Sequence, residues 1–144
     1  MDSISKLFSG MRAASSGMSA ERVRIDIVAM NIANANTTKT PDGGPYKRQI
    51  VNFAPMLERA ANGKNEVIGV RIAKISSDNT TPLPQITDWT NPDHDAEGKV
   101  TMPNVNPVME MADLISATRA YEANVAAQEQ FVAMAERALR LVQS

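Results

Sequence analysis

Residues 104–144 read NVNPVMEMADLISATRAYEANVAAQEQFVAMAERALRLVQS, and this stretch decides the fold. Asn106 suits the N-cap of a helix and Pro107 suits its first helical position. Arg137 and Arg140 lie near the other end, where the helix dipole favours cations. About 36 helical residues, each rising about 1.5 Å, would make a rod of roughly 54 Å. The stretch therefore predicts one long helix.

The apolar residues of this stretch follow a heptad repeat, which is typical of a helix that packs along another helix. The first column comprises Met111, Thr118, Val125, Val132 and Leu139. The second column, three residues behind, comprises Leu114, Tyr121, Gln128, Ala135 and Val142. A single helix cannot bury a one-sided apolar stripe of this length by itself, so the sequence predicts a helical partner.

The N-terminal stretch has the same period and is the predicted partner. Its first column comprises Ile4, Met11, Met18, Ile25 and Ile32, and its second comprises Leu7, Ala14, Glu21, Val28 and Ala35. Gly10 and Gly17 each disfavour a helix interior by about 1 kcal/mol relative to alanine. They either weaken this helix or let another helix approach closely. We expect the two terminal helices to pair antiparallel as a coiled-coil-like bundle, because the chain leaves and returns at one insert.

The middle of the chain changes character and predicts an α+β protein in three parts. These are an N-terminal helix over 1–36, a loop and small β-rich insert over 37–103, and a C-terminal helix over 104–144. Strands are expected at 46–53 and 67–75, with a short edge strand near 83–86 and a last strand at 99–102. The segment MLERAA, residues 56–61, favours a short helical turn or an irregular loop, and Asn62-Gly63 favours a turn. We expect the insert at one end of the helix pair.

Composition excludes several classes of protein. The 144 residues are 43% hydrophobic with a formal net charge of -1, so no charge imbalance indicates nucleic acid or an anionic membrane surface. The chain has no cysteine, which excludes disulfides and thiolate metal sites. No apolar run reaches the roughly 18 residues of a membrane span, and polar residues interrupt the N-terminus. We therefore expect neither a membrane span nor a cleaved signal peptide.

One stretch, NPDHDAEG at residues 91–98, carries candidate chemistry. Asp93, Asp95 and Glu97 alternate as in the first half of a calcium loop, but Asn104 stands where a bidentate glutamate should close that loop. A turn with several carboxylates is the simpler interpretation. The single histidine, His94, has no nearby serine in a nucleophile pattern. The sequence predicts no catalytic, cofactor-binding or metal-binding residues, and hence no enzyme.

Charged residues flank both predicted seams. Glu122, Glu129 and Glu136 form a column beside the C-terminal seam, and Arg22 and Arg24 lie beside the N-terminal one. Such residues set the register between helices in coiled coils, and they occur equally on solvated faces. Both interpretations stay open at this point.

Both ends of the chain resemble the axial-protein family of the bacterial flagellum. The resemblance is carried by SGMSAERVRIDIVAMNIANANTT at 16–38, DGGPYKRQ at 42–49 and TMPNVNPVMEMADLISATRAYEAN at 101–124. The residues that match the family's signatures are Asn31, Asn34, Pro45, Tyr46, Glu110, Arg119 and Asn124. The short middle favours the proximal-rod branch, since hook and distal-rod relatives carry much larger inserts.

The resemblance implies a structural subunit, not an enzyme, that polymerises helically with itself and other rod proteins into the proximal rod, which transmits torque. It implies export from the cytoplasm by the flagellar type III apparatus without a cleaved signal peptide. The subunit would lie in the rod, in the periplasmic space, and would contact the membrane-ring and rod-adaptor proteins at the base. No cofactor is implied.

The resemblance also assigns a place to each part of the chain. The β insert would face outward. The inner helical layer would contain Ile4, Met11, Met18, Ile25, Ile32, Met111, Leu114, Tyr121, Val125, Val132 and Leu139. The alternative is a soluble two-helix coiled-coil adaptor, which would fold as a monomer or a closed dimer.

Overall fold

The computed structural model describes the backbone of residues 2–59 and 65–143 and the side chains of residues 8–59 and 65–140. Two long helices flank a small β region, as the α+β prediction required. The elements in chain order are α1 (Asp2–Ala33), β1 (Gln49–Arg59), β2 (Asn65–Ser77), β3 (Gln85–Thr87), β4 (Lys99–Thr101) and α2 (Pro107–Gln143).

The start of α2 follows the capping signals in the sequence. Pro107 is its first residue, where a missing N–H costs nothing. The side-chain oxygen of Asn106 accepts hydrogen bonds from the backbone N–H groups of Val108 and Met109, at 3.0 and 3.3 Å. Two N–H groups without a partner inside the helix are thereby satisfied, so the predicted N-cap is confirmed.

Helices α1 and α2 pack against each other through positions that repeat every seven residues. Gly10 faces the ring of Phe131, and Gly17 faces the side chain of Asn124. The amide nitrogen of Asn31 donates to Glu110 across 2.9 Å. The residue numbers of each pair add up to 141, so the start of one helix lies beside the end of the other.

The glycines of α1 allow this close approach. A Cβ atom on Gly17 would lie 2.9 Å from the side-chain atoms of Asn124, and one on Gly10 would lie 2.5 Å from the ring of Phe131. Real Cβ atoms do not tolerate such distances, because cores are packed to near-crystalline density. The side chains of α2 therefore occupy the space that the glycines leave open.

The structure corrects the phase of the predicted seam. Residues of the predicted second columns are buried or half-buried, notably Ala14 and Val28 on α1, Ala35 just after it, and Leu114, Tyr121 and Gln128 on α2. The other contact column lies one residue before each predicted first column. It comprises Gly10, Gly17 and Asn31 on α1 and Glu110, Ala117, Asn124 and Phe131 on α2.

Strands β1 and β2 form a long antiparallel hairpin, paired from Gln49 with Ser77 to Arg59 with Asn65. The register shifts at Asn52/Phe53 and again at Met56/Leu57, which marks two bulges. The prediction of a helical turn or irregular loop at 56–61 is wrong for Met56–Arg59, because pairing with β2 satisfies that backbone. The predicted turn at Asn62-Gly63 lies outside the described residues.

The hairpin lies along α1 and not at one end of the helix pair, so that expectation is also wrong. Asn31 bonds to Gln49 at the start of β1, and Arg12 forms an ion pair with Glu58 near its end, at 2.9 Å. Nine strand residues span about 30 Å, and nineteen helical residues span about 28 Å. This match in length lets the hairpin contact much of α1.

A second, separate sheet contains β3 and β4, which pair from Gln85 with Thr101 to Thr87 with Lys99. Val100 is fully buried, and the ring of Trp89 covers Gly98, whose φ is +74°. The two short strands predicted at 83–86 and 99–102 are thus present with slightly shifted bounds. The insert consists of two small sheets, each of two strands.

Candidate functional site

A cluster of hydrogen-bonded polar side chains lies where the end of α1, the start of β1 and the start of α2 meet. Asn31 is at its centre and is 0% exposed. Its side-chain nitrogen donates to the backbone oxygen of Gln49 and to Glu110, both at 2.9 Å. Its side-chain oxygen accepts from the backbone N–H of Gln49 at 2.8 Å and from the hydroxyl of Tyr46 at 2.9 Å. An asparagine side chain offers two donors and two lone pairs, so Asn31 is fully satisfied.

Glu110, in the first turn of α2, is 1% exposed. A buried carboxylate is costly unless it is paired and hydrogen-bonded. One oxygen of Glu110 accepts from the Arg48 guanidinium at 2.6 Å, and the other accepts from Asn31 at 2.9 Å. Both carboxylate oxygens therefore have donors, one of them charge-assisted.

An alternating row of charges continues from this pair onto α1. Arg48 also reaches Asp113 on α2 at 3.3 Å. Asp113 lies 3.8 Å from Arg24, which in turn lies 3.6 Å from Glu21. The row links the residue before β1 to both helices, and each charged side chain lies beside one of opposite charge.

Tyr46, three residues before β1, closes one side of the cluster. Burial, assisted by the nearby charge of Glu110, raises the pKa of the Tyr46 hydroxyl above its ordinary value. The hydroxyl is therefore protonated at neutral pH, and it donates a hydrogen bond to the side-chain oxygen of Asn31.

Asn104 ties the segment before α2 to the same corner. Its side-chain oxygen accepts from the backbone N–H of Arg48 at 2.8 Å, and its nitrogen donates to the backbone oxygens of Asp78 and Thr81 at 3.0 and 3.2 Å. The backbone oxygen of Arg48 accepts from the N–H of Asp78 at 2.7 Å. Two segments of the insert and the approach to α2 are thus joined through one amide.

The loop after β2 is held by the carboxylate of Asp78. Its oxygens accept bonds from the hydroxyls and backbone N–H groups of both Thr80 and Thr81. These bonds, the Thr81 hydroxyl first and the Thr80 hydroxyl next, hold the pKa of Asp78 well below its ordinary value.

We call Asn31, Tyr46, Arg48, Asn104 and Glu110 the polar junction.

The structure brings three of the predicted signature residues together at the polar junction: Asn31, Tyr46 and Glu110. Pro45 precedes Tyr46 and is half-buried. The others serve elsewhere. Asn34 donates to the backbone oxygen of Met30 at 2.9 Å and accepts from Thr37 at 3.1 Å, which shapes the turn after α1.

Two signature residues lie further along α2. Asn124 fills the space left by Gly17 and donates to the backbone oxygen of Ala120 at 3.0 Å. Arg119 is exposed.

Sequence reasoning missed the roles of Arg48 and Asn104. Both lie within stretches that carry the family resemblance, DGGPYKRQ and TMPNVNPV. No periodic pattern indicates them, because they act from turns and from the edge of a strand. Arg48 lies within the predicted strand 46–53 and Asn104 at the start of the predicted C-terminal helix, and neither position indicates the contacts that its side chain makes.

The predicted interface residues occupy two kinds of position. Met111, Val132 and Leu139 are exposed on α2, at 52%, 39% and 62%. The partly buried members are Met11, Met18, Ile25, Ile32, Leu114, Tyr121 and Val125. The side chain of Ile4 lies outside the described residues. That these residues form an interface between subunits stays a prediction.

The carboxylates of Asp93 and Asp95, in the Asp93–Glu97 turn, accept hydrogen bonds from groups of this chain. Asp95 accepts from the backbone N–H groups of Glu97 and Lys99, at 2.9 and 2.8 Å, and Asp93 accepts from the Thr38 hydroxyl at 2.7 Å. In the described ranges, no group of three or more potential ligating side chains is arranged to hold a metal ion. Neither helix, over the residues described, combines the length and apolarity needed to cross a bilayer.

Comparison with known proteins identifies the class of this architecture. Residues 11–39 match the family described as "Flagella basal body rod protein", and residues 96–141 match "Flagellar basal body rod FlgEFG protein C-terminal". These ranges contain most of α1 and α2 and three residues of the polar junction, Asn31, Asn104 and Glu110. The two helices therefore carry the signatures of flagellar rod proteins at both ends of the chain.

Whole-chain relatives narrow the class. The flagellar basal-body rod protein FlgC of Borreliella burgdorferi is 43% identical, over 95% of this chain and 98% of the relative. That of Bacillus subtilis is 37% identical over 93% and 97%, and that of Aquifex aeolicus is 37% identical over 84% and 86%. The chain belongs to the FlgC family of flagellar basal-body rod proteins, which are structural proteins of the rod.

Proposed function

We propose that this chain polymerises helically, with itself and with other rod proteins, into the proximal rod that transmits torque. Within each subunit, α1 and α2 pair antiparallel in the manner of a coiled coil and form the inner helical layer. The observation that carries this proposal is the row of large apolar side chains that the pair leaves uncovered: Met30, Val108, Met111, Ile115, Val132 and Leu139. Large apolar side chains exposed along one side of a helix pair are typical of interaction sites.

The contacts between α1 and α2 support the coiled-coil part of the proposal. They repeat every seven residues along both helices, which is the period of such packing. At two of these contacts a glycine of α1 faces a larger side chain of α2: Gly10 faces Phe131, and Gly17 faces Asn124. The helices can therefore approach closely without a continuous column of large residues on either side.

The composition of α1 suits export before assembly. Gly10, Ser15, Ser16 and Gly17 disfavour an isolated helix, so α1 depends on the hairpin and α2 for its stability. A chain whose terminal helices form only against neighbours can pass through the flagellar type III apparatus unfolded and fold as it assembles. Export would proceed from the cytoplasm without a cleaved signal peptide, and the assembled subunit would lie in the periplasmic part of the rod.

The position of the hairpin gives the subunit an inside and an outside. The hairpin covers one side of α1, while the exposed apolar row lies on α2 except for Met30 of α1. The β region would therefore face outward, toward neighbouring inserts and, at the base, toward the membrane-ring and rod-adaptor proteins.

The test replaces the wild-type chain by Leu139→Asp in flagellated cells. Leu139 is 62% exposed, so the free subunit should fold normally. In the rod the new carboxylate would be buried without a partner, and we expect loss of the subunit from purified basal bodies and loss of motility. Circular dichroism of the purified variant checks its fold.

The matched control is Gln130→Asp, because Gln130 is also exposed on α2 and lies on a different face from Leu139. We expect it to retain rods and motility. Normal rods in the Leu139→Asp cells would contradict burial of this row in the assembly. Absence of the wild-type chain from purified basal bodies would contradict the rod assignment itself and favour a soluble adaptor.

A further inference from the structure

One face of α2 is exposed along most of the helix and differs from the face that contacts α1. Val108, Ile115, Glu122, Glu129 and Glu136 are seven residues apart, and all five are exposed. Met111, Val132 and Leu139 are the exposed members of a parallel column, in which Thr118 and Val125 are half-buried. At about 100° per residue, the column of Met111 lies roughly 100° around the helix from the column of Glu110. We call these eight exposed residues the outer face of α2.

The outer face is apolar in its first part and acidic along its second part. Val108, Met111 and Ile115 are 74%, 52% and 56% exposed. Further on, Val132 and Leu139 continue the apolar column while the three glutamates run beside it. Consecutive glutamates are about 10.5 Å apart along the axis, and their like charges are not favourable neighbours.

The three glutamates have no basic partner among the described side chains of this chain. The ion pairs formed there use other carboxylates, those of Glu21, Glu58, Asp93, Glu97, Glu110 and Asp113. An apolar column flanked by a column of one sign is the pattern with which a helix selects an oppositely charged helix. The outer face is therefore complementary to a helix with an apolar stripe and a basic column.

The helices of a second copy do not offer that column. In neither 1–36 nor 104–144 are any two lysines or arginines seven residues apart. We propose that the outer face of α2 packs against a helix of a different subunit, one that carries lysine or arginine at seven-residue spacing beside an apolar stripe. The proposal rests on the rod function proposed above and adds the chemistry of the neighbour.

The first experiment neutralises the acidic column in cells that express the variant chain together with a tagged wild-type chain. In the variant, Glu122→Gln, Glu129→Gln and Glu136→Gln are combined, which changes the charge by three units and preserves helix propensity. We expect the amount of this chain in purified basal bodies, in competition with a tagged wild-type chain, to fall about tenfold, as three exposed ion pairs would predict. The defect should shrink as the ionic strength of disassembly assays rises.

The matched control adds the same charge to another face of the same helix. Ser116→Lys, Ala123→Lys and Gln130→Lys together also change the charge by three units, at exposed positions seven residues apart. We expect normal incorporation of this control. Equal incorporation of the glutamine variant and wild type would overturn the proposal, and so would an equal defect in both triple variants.

The second experiment identifies the neighbour. A photo-crosslinking residue replaces Ala126, which is exposed beside Glu122 and Glu129, and adducts in purified basal bodies are mapped by mass spectrometry. An adduct to a helical segment of another rod protein with basic residues seven apart supports the proposal. An adduct to this same chain, for example to the basic residues of its hairpin, overturns it, as does the absence of adducts in assembled rods.

These outcomes are separable from failure of the rod function. If the wild-type chain is absent from basal bodies, the proposed function fails. If the wild-type chain is present but the acidic column proves dispensable, the function stands and the assigned neighbour is wrong.

Discussion

The polar junction and the outer face of α2 differ in whether their side chains find partners within the chain. At the junction, Glu110 is 1% exposed and both its oxygens are bonded within the chain. On the outer face, one residue along, Met111 is 52% exposed. The junction satisfies its costly groups internally, whereas the outer face leaves apolar surface for a neighbour. The proposed assembly requires both internally bonded polar groups and apolar surface for a neighbour.

The contrast shows how specificity is divided within the subunit. Buried polar groups have strict geometric requirements, so they define one arrangement of α1, β1 and α2. Apolar contacts have weaker geometric requirements, so they suit an interface that forms during assembly.

The largest effect is expected at the junction. Glu110→Leu removes the carboxylate and leaves Arg48 and Asn31 without their shared acceptor, which should cost about 3 kcal/mol. Urea unfolding of the purified chain measures this loss. Glu122→Leu, an exposed position on the same helix, should change stability by less than about 0.5 kcal/mol. Equal stability of the two variants would contradict a role for the junction in holding the helices together.

A smaller loss is expected where the helices approach most closely. In Gly17→Ala the added Cβ would crowd Asn124, at a cost of about 2 kcal/mol, and the gain in helix propensity of about 1 kcal/mol offsets part of it. Combining it with Asn124→Ala should relieve the crowding, and a double-mutant cycle would show positive coupling. If Gly17→Ala alone stabilises the protein, the helices are further apart there than the structure shows.

The junction should also respond to alkali through Tyr46. Because the folded protein raises the pKa of this hydroxyl, its contribution to stability is complete below the unfolded value of about 10. That contribution is lost as pH rises from there through the folded pKa. Urea midpoints measured between about pH 8 and pH 11 should fall more steeply in wild type than in Tyr46→Phe. Parallel curves would show that Tyr46 is not linked to folding.

The smallest effect is expected on the outer face. Met111→Ser should alter the unfolding free energy of the free subunit by less than about 0.5 kcal/mol, since its side chain is half exposed already. Incorporation into basal bodies should nevertheless decrease, because the apolar contact with a neighbour is lost. A large loss of stability in the free subunit would mean that this face is covered within the chain.

Much of the fold could be predicted from local patterns. The heptad period and the cap at Asn106 and Pro107 define the C-terminal helix, and β-branched residues define β1 and β2. The second half of β1 was missed, because the propensity of MLERAA was overridden by pairing with β2. The site was half predicted: Asn31, Tyr46 and Glu110 were singled out by resemblance, while Arg48 and Asn104 were not.

The sequence by itself determined the two helices, their common period, the class of fold and the family, because these depend on local propensity and on signatures contiguous in the chain. The tertiary structure decided which column of each helix faces the other. A seven-residue period does not by itself define which residues face the partner helix. In the structure Gly17 lies against Asn124 and Asn31 bonds to Glu110, while Met18 and Ile32 lie one residue further along the helix. It also decided the partners of the junction, since Arg48 and Glu110 are 62 residues apart in the chain. No local pattern records such a pair, because only folding brings the two charges together.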